Sequence, residues 1–137
     1  MPIIRSEHLI QSVADALQYI SYYHPLDFVK AVNEAYEKEE SPAAKDAMAQ
    51  ILINSRLCAE GKRPICQDTG IVTVFLKIGM KVEWEDGMSV SEMVNEGVRR
   101  AYLLPDNVLR ASILDDPAGA RTNTKDNTPA VIHMDLI

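Results

Sequence analysis

The hydrophobic period of this chain changes once, at Gly61, and that change limits the folds open to it. Before Gly61 the apolar residues recur at helical spacing; after it, short apolar runs alternate with Pro- and Gly-marked turns. Leu9, Val13, Leu17 and Ile20 lie near 3.6-residue spacing behind Ser6, a residue able to cap a helix. Pro25 disfavours α geometry at His24 and ends that helix. A second helix starts near Leu26 or Asp27 and lines Phe28, Val32 and Ala35/Tyr36 along one face, with Glu37 to Glu40 as its solvated end. Ser41-Pro42 then supplies an N-cap and a proline at the first helical position. Ala44, Ala47/Met48, Ile51/Leu52, Ser55 and Cys58/Ala59 form the stripe of a long third helix, with Gly61 just past its end.

Beyond Gly61-Lys62-Arg63-Pro64, Ile71 to Ile78 is apolar on both faces except for Thr73 and Lys77, as suits a mostly buried strand. Met80, Val82 and Trp84 alternate with Lys81 and Glu83, which predicts a second strand. Ser89-Val90-Ser91-Glu92 is a capping box, opening a helix with Val90, Val94, Val98 and Ala101/Tyr102 inward. Residues 105–129 hold little periodicity, a length of irregular chain that more often serves function than structure. Ala130 to Ile137 is a final strand, with Ile132, Met134 and Leu136 on one face and Val131, His133 and Asp135 on the other. The expected fold is α+β: a helical N-terminal half, residues 1–61, packed with a small mixed β-sheet in a C-terminal half, residues 62–137, that carries one helix. The chain reads as a single domain or as the N-terminal section of a longer protein, because Ile137 stops inside an apolar strand.

The 137 residues carry 14 Lys+Arg against 20 Asp+Glu, a net charge of -6, which argues against nucleic acid as a partner. No apolar run reaches the roughly 18 residues of a membrane span, and the N-terminus lacks a charged-then-apolar signal pattern. A cytoplasmic chain is expected. Two cysteines cannot make a disulfide framework or a four-thiolate metal site within one chain.

Two polar segments could carry chemistry. In Arg63-Pro64-Ile65-Cys66-Gln67-Asp68-Thr69-Gly70, the nearby Lys62 and Arg63 favour a Cys66 thiolate, the form a soft metal needs. Gln67 and Asp68 add an amide and a carboxylate beside it. The residues alone favour a plainer account, a helix-to-strand connector with an inert cysteine. Thr122 to Pro129 reads first as turn chemistry, and second as a polar wall for an anion charged by Lys125 and Arg121. Arg110, in Leu109-Arg110-Ala111-Ser112, could clamp a carboxylate bidentately, or pair with Asp106, Asp115 or Asp116. Cys58 falls on the third helix's apolar stripe and reads as a packed core thiol, and His133 as a structural strand histidine.

Taken in order, three segments resemble the class I, iron–sulfur fumarate hydratases, a family that includes L(+)-tartrate dehydratase α subunits. They are Asn54 through Gly70 with its Ile65-Cys66-Gln67-Asp68-Thr69-Gly70 end, Leu109-Arg110-Ala111-Ser112, and Asn123-Thr124-Lys125-Asp126-Asn127-Thr128-Pro129-Ala130-Val131-Ile132-His133. The resemblance covers essentially the whole chain. It implies a hydro-lyase that interconverts fumarate and malate, a tricarboxylic acid cycle reaction, at a 4Fe–4S cluster held by three cysteines. Cys66 matches the first of those ligands, Gln67 and Asp68 match substrate-contacting positions, and Arg110 matches an arginine that binds a substrate carboxylate. The other two cluster cysteines and the proton-transfer residues have no match here, so no catalytic residue is assigned to this chain. By itself it is expected neither to hold the cluster nor to turn over. The implied partners are a small dicarboxylate, the remainder of the enzyme or its other subunit, and further copies in a homo-oligomer. Two alternatives stand beside this reading: a tartrate dehydratase α-type subunit, and a non-catalytic folding or subunit-interaction domain that uses the edge of strand 130–137.

Overall fold

Pro25, Pro42 and a capping box at Ser89 set where three of the described helices begin. In the computed structural model, which describes residues 2–66 and 70–137, the elements run β1 (Ile3–Ile4), α1 (Ser6–Tyr22), α2 (Leu26–Lys38), α3 (Pro42–Gly61), β2 (Thr73–Ile78), β3 (Glu83–Trp84), α4 (Val90–Tyr102) and β4 (Val131–Leu136). They form two compact units, Met1–Gln18 with Gln67–Ile137, and Tyr19–Cys66. The α+β expectation holds.

In the first unit, α4 is the central support. Its capping box is complete: the Ser89 hydroxyl accepts from the Glu92 amide at 3.2 Å, and the Glu92 carboxylate accepts from the Ser89 amide at 2.9 Å. Met93, Val94 and Val98 are fully buried, and Ala101 and Tyr102 nearly so. They form a core with Val13, Ala14, Val72 and Leu109, edged by Leu9, Leu17, Val74, Leu76 and Ile132. The α1 stripe is turned from its expected position. Ile10, Val13, Ala14 and Gln18 are buried, whereas Ile20 is 63% exposed. Gln18 replaces an apolar contact with three hydrogen bonds: its Nε2 donates to the Ala101 carbonyl (2.7 Å) and the Asn107 carbonyl (2.9 Å), and its Oε1 accepts from Asn107 Nδ2 (2.7 Å). Ser6 does not cap α1. It is the first helical residue, its buried hydroxyl has no partner among the described residues, and its amide donates to Asp86 at 3.3 Å.

The strands differ from the single mixed sheet expected. Among the described residues β2 pairs only with β4 and β1 only with β3, both in parallel. Parallel neighbours need a long crossover, and α4, packed on the core side of β2 and β4, lies on it. The expected strand over 80–84 shortens to β3 because residues 79–82 turn, with the Val82 amide donating to Gly79 at 3.0 Å. β3 then meets the N-terminal strand β1, which carries too little pattern to be predicted. The β2–β4 register runs from Thr73 opposite Val131 to Ile78 opposite Leu136, and places Phe75 opposite His133 and Lys77 opposite Asp135. Phe75, 77% exposed, stacks on His133 with ring centroids 4.8 Å apart.

In the second unit α2 packs along α3. Ser55 and Cys58 are the buried residues of α3, and His24 stacks on Phe28 while its Nδ1 lies 3.1 Å from Ser55 Oγ. Ser41 is the N-cap of α3 without a side-chain bond. Gly61 remains helical, and the left-handed residue is Lys62 (φ 48°), because the Lys62 and Arg63 amides both reach back to the Cys58 carbonyl. Among the described residues no helix is long and apolar enough to cross a membrane.

Gly97 supplies a test of this packing. A Cβ there would lie 2.7 Å from both the Ile10 carbonyl oxygen and Val13 Cβ, so α1 approaches α4 as closely as a glycine permits. Ala in a free helix would add about 1 kcal/mol of stability over Gly. Against the α1 backbone the sign reverses, and Gly97→Ala is expected to destabilise the chain by about 1–3 kcal/mol, read from its urea midpoint. A stabilised variant would contradict the contact.

Candidate substrate site

Cys66 lies at the end of a short segment folded against the last turns of α3. Asn54 Nδ2 donates to the Ile65 carbonyl (3.1 Å), and the Ile65 backbone amide donates to the Ser21 carbonyl (2.8 Å). Both backbone groups of the residue before Cys66 are thus fixed. The thiol of Cys58, four residues after Asn54, lies 3.6 Å from Asn54 Oδ1 and 3.6 Å from the Pro64 carbonyl. Cys58 is buried as expected of a core thiol, Cys66 is exposed, and neither forms a disulfide. Gln67 and Asp68 lie outside the described residues. The chain is described again at Gly70, whose φ of 59° is a conformation that glycine adopts without strain.

The Arg110 segment belongs to the other compact unit. Leu109 is buried in the core and Arg110 is exposed. Immediately after it, residues 111–115 are laced to residues 122–127. Asn123 Nδ2 donates to the Ala111 carbonyl (2.9 Å), Thr124 N to the Ile113 carbonyl (3.0 Å), and Asp115 N to the Thr122 carbonyl (2.7 Å). Asn127 makes the central contacts. Its Oδ1 accepts from the Ser112 amide (2.7 Å) and the Ile113 amide (3.2 Å), and its Nδ2 donates to the Gly70 carbonyl (3.0 Å). It is fully buried and has φ 61°, a left-handed conformation that Asn tolerates better than most residues. One side chain therefore joins parts of all three sequence motifs: the glycine closing the first, the serine closing the second, and itself in the third.

The third motif is also tied to α4. Asp126 Oδ1 accepts from the Thr128 amide (3.0 Å) and hydroxyl (2.8 Å), and Oδ2 accepts from Arg99 Nε (3.0 Å). Arg99 in turn holds Glu96, and Arg100 spans Glu96 and Glu7. Burial pushes the Asp126 carboxyl up, but the Thr128 donors and the Arg99 guanidinium outweigh it and hold the group below the usual carboxylate range. The bonds to Glu96 and then Asp126 push the Arg99 guanidinium up, which keeps it charged. Lys125 and Arg121 are exposed, both with positive φ (70° and 53°). Lys125 is held there by its amide, which donates to Asn123 Oδ1 at 2.7 Å. His133 stacks on Phe75, in keeping with a structural strand histidine.

The second and third motifs are thus bonded to each other and to Gly70, while Cys66 stands in the helical unit. Among the described residues no three of His, Cys, Asp and Glu converge as a metal group would require. Cys66 offers one exposed thiol, and the described residues do not complete a ligand set around it. Sequence reasoning missed Asn54 and Asn127. Both sit inside the motifs, but a buried asparagine leaves no periodic trace, and Asn127 reads in sequence as one more turn residue.

The depressed Asp126 carboxyl gives a pH signature. A carboxylate whose folded pKa lies below its unfolded value contributes stability above the unfolded value and loses it as pH falls through the folded one. Stability tied to Asp126 is therefore complete above about pH 5 and lost progressively below about pH 4. Asp126→Asn is expected to lower stability at pH 7 by about 1 kcal/mol or less, and to shrink the loss between pH 7 and pH 3 in urea titrations. An unchanged difference between the two pH values would contradict the assignment.

Comparison with known proteins bears on the chain as a whole. Residues 10–137 match the family model described as fumarate hydratase (fumerase). A proposed L(+)-tartrate dehydratase subunit alpha of Methanocaldococcus jannaschii is 37% identical over 89 residues, 65% of this chain and 31% of that protein. The anaerobic class I fumarate hydratase of Escherichia coli K12 is 32% identical over 99 residues, 72% of this chain and 18% of its own length. A proposed class I fumarate hydratase of Geobacillus stearothermophilus is 27% identical over 122 residues, 88% of this chain and 22% of its own. The chain spans about a third or less of the relatives it matches. With the match running over nearly all of its residues, the chain belongs to the fumarate hydratase family.

Proposed function

We propose that this chain is the section of an iron–sulfur hydro-lyase that supplies one cluster ligand and part of a dicarboxylate site, in an enzyme that hydrates fumarate to malate. The observation that carries this reading is the ordered set of three motifs within the family match over residues 10–137. Cys66 would hold one corner of a 4Fe–4S cluster. When bound, such a cluster supplies an open iron that acts as a Lewis acid on a substrate oxygen. Arg110 would clamp one substrate carboxylate through two parallel hydrogen bonds, bringing a local cation to a dianion that meets a chain of net charge -6. Gln67 and Asp68 would contact the substrate beside Cys66. The cluster's other ligands and the proton-transfer groups come from further polypeptide, either the same enzyme's remainder or another subunit.

The strand β4 supports a polypeptide partner and assembly into a homo-oligomer. Its Met134 and Leu136 are 49% and 71% exposed, although parallel strands ordinarily have both faces covered. The same exposure suits the non-catalytic alternative, a folding or subunit-interaction domain. A cytoplasmic setting fits a chemistry that depends on a reduced thiol. Tartrate is the second substrate reading, favoured by the 37% identity to the M. jannaschii protein.

Two measurements test this. Anaerobic incubation of the chain alone with iron and sulfide is expected to leave it colourless and without fumarate turnover. With the polypeptide that supplies the other ligands, brown cluster absorption and turnover should appear and be lost in Cys66→Ser. A cluster held by the chain alone, or one indifferent to Cys66→Ser, would contradict the reading. Comparing fumarate, L-malate and L(+)-tartrate in the assembled enzyme decides the substrate, and preferred turnover of tartrate would overturn the choice of fumarate.

A further inference from the structure

We propose that Asn127 is a positioning residue of the dicarboxylate site: it sets the place of Arg110 by holding the backbone that follows it to the backbone at Gly70. The inference rests on the proposed role of Arg110 and goes beyond it, because Asn127 itself need not touch the substrate.

The argument starts from what a clamp requires. A bidentate guanidinium–carboxylate contact gains its selectivity from a fixed plane and distance, so an arginine on irregular chain needs its Cα held by something other than a helix or strand. Arg110 lies in such a stretch, between α4 and β4. On its N-terminal side, Leu109 is buried in the core. On its C-terminal side the next three residues are each held through a backbone group: Ala111 by Asn123 Nδ2 at 2.9 Å, Ser112 by Asn127 Oδ1 at 2.7 Å, and Ile113 by the same oxygen at 3.2 Å. The Asn127 Nδ2 bond to the Gly70 carbonyl (3.0 Å) refers this segment to the residue at which the described chain resumes, two positions after Asp68 in the sequence.

Asn is the side chain suited to this task. One oxygen accepts from two amides while the nitrogen donates to a carbonyl, a pattern that Asp, Leu or Ser cannot reproduce. The left-handed backbone at residue 127 restricts the position further, leaving Gly as the substitution that keeps the conformation and deletes the bonds. The outer end is kept in place separately, by Asp126 on Arg99 and by the Ala130 amide on Asn95 Oδ1 at 2.9 Å. Removing the Asn127 side chain should therefore loosen the Arg110 segment before it loosens the fold.

The test compares Arg110→Ala, Asn127→Gly and Asn123→Ala in the complete, cluster-loaded enzyme, with thermal unfolding as the check on folding. Arg110→Ala is expected to raise KM for the dicarboxylate at least tenfold. Asn127→Gly should raise KM by about tenfold with kcat within about threefold, since a displaced clamp weakens ground state and transition state alike. A merely structural role would instead reduce the active fraction, lowering kcat at unchanged KM. Asn123→Ala removes an exposed tether with little threat to folding and should raise KM about threefold. If Arg110→Ala raises KM while Asn127→Gly, or Asn123→Ala where Asn127→Gly fails to fold, leaves it unchanged, the positioning role is overturned and the clamp stands. If Arg110→Ala leaves KM unchanged, the clamp itself is overturned, and this inference with it.

Discussion

A fully buried primary amide has to find partners for both its donor and its acceptor, and in this chain the Asn127 amide finds them on two distant pieces of backbone. A buried amide left without those bonds costs about 1–3 kcal/mol, so the requirement works in both directions. Asn127 is stable in the interior only when Ser112 and Ile113 come to its oxygen and Gly70 comes to its nitrogen. Those residues have no helix or strand of their own to place them. The irregular stretch between α4 and β4 is consequently ordered by hydrogen bonds outside any helix or strand, to which the side chains of Asn123, Asp126 and Asn127 contribute acceptors and donors to the backbone.

That arrangement needs a rigid base, which α4 provides. Its capping box fixes where it starts, and its buried face joins α1 to the β2–β4 pair. The absent side chain at Gly97 sets how closely α1 can approach. Arg99 near its end reaches Asp126, and Gln18 from α1 closes on the Ala101 carbonyl, so the same helix supports both the core and the polar loop.

Much of this was legible in the sequence, and what was missed shares a cause. The helices from Ser6, Leu26, Pro42 and Val90, and the strands near 73–78 and 131–136, follow from local period, proline and capping, which act over a few residues. Their pairing does not. β1 has two residues, too few for a period, and only contact with β3 defines it. Lys62 takes the left-handed position in place of Gly61 because two amides converge on the Cys58 carbonyl, a geometric outcome that residue preference opposes. Gln18 replaces Ile20 on the buried side because polar partners at Ala101 and Asn107 await it, and those lie more than eighty residues away. The motif residues Cys66, Gln67, Asp68 and Arg110 were identified through family resemblance. Asn54 and Asn127, which hold the backbone beside them, could be found only from the contacts.

The hydro-lyase reading and the order of the irregular loop meet at one place, the backbone on either side of Arg110. The most direct measurement is amide hydrogen exchange at Ser112 and Ile113 in this chain. Both amides, bonded to a side chain that is fully buried, are predicted to exchange as slowly as the buried amides of α4. Exchange at the rate of an open loop, with α4 protected, would contradict the central claim that Asn127 orders the site.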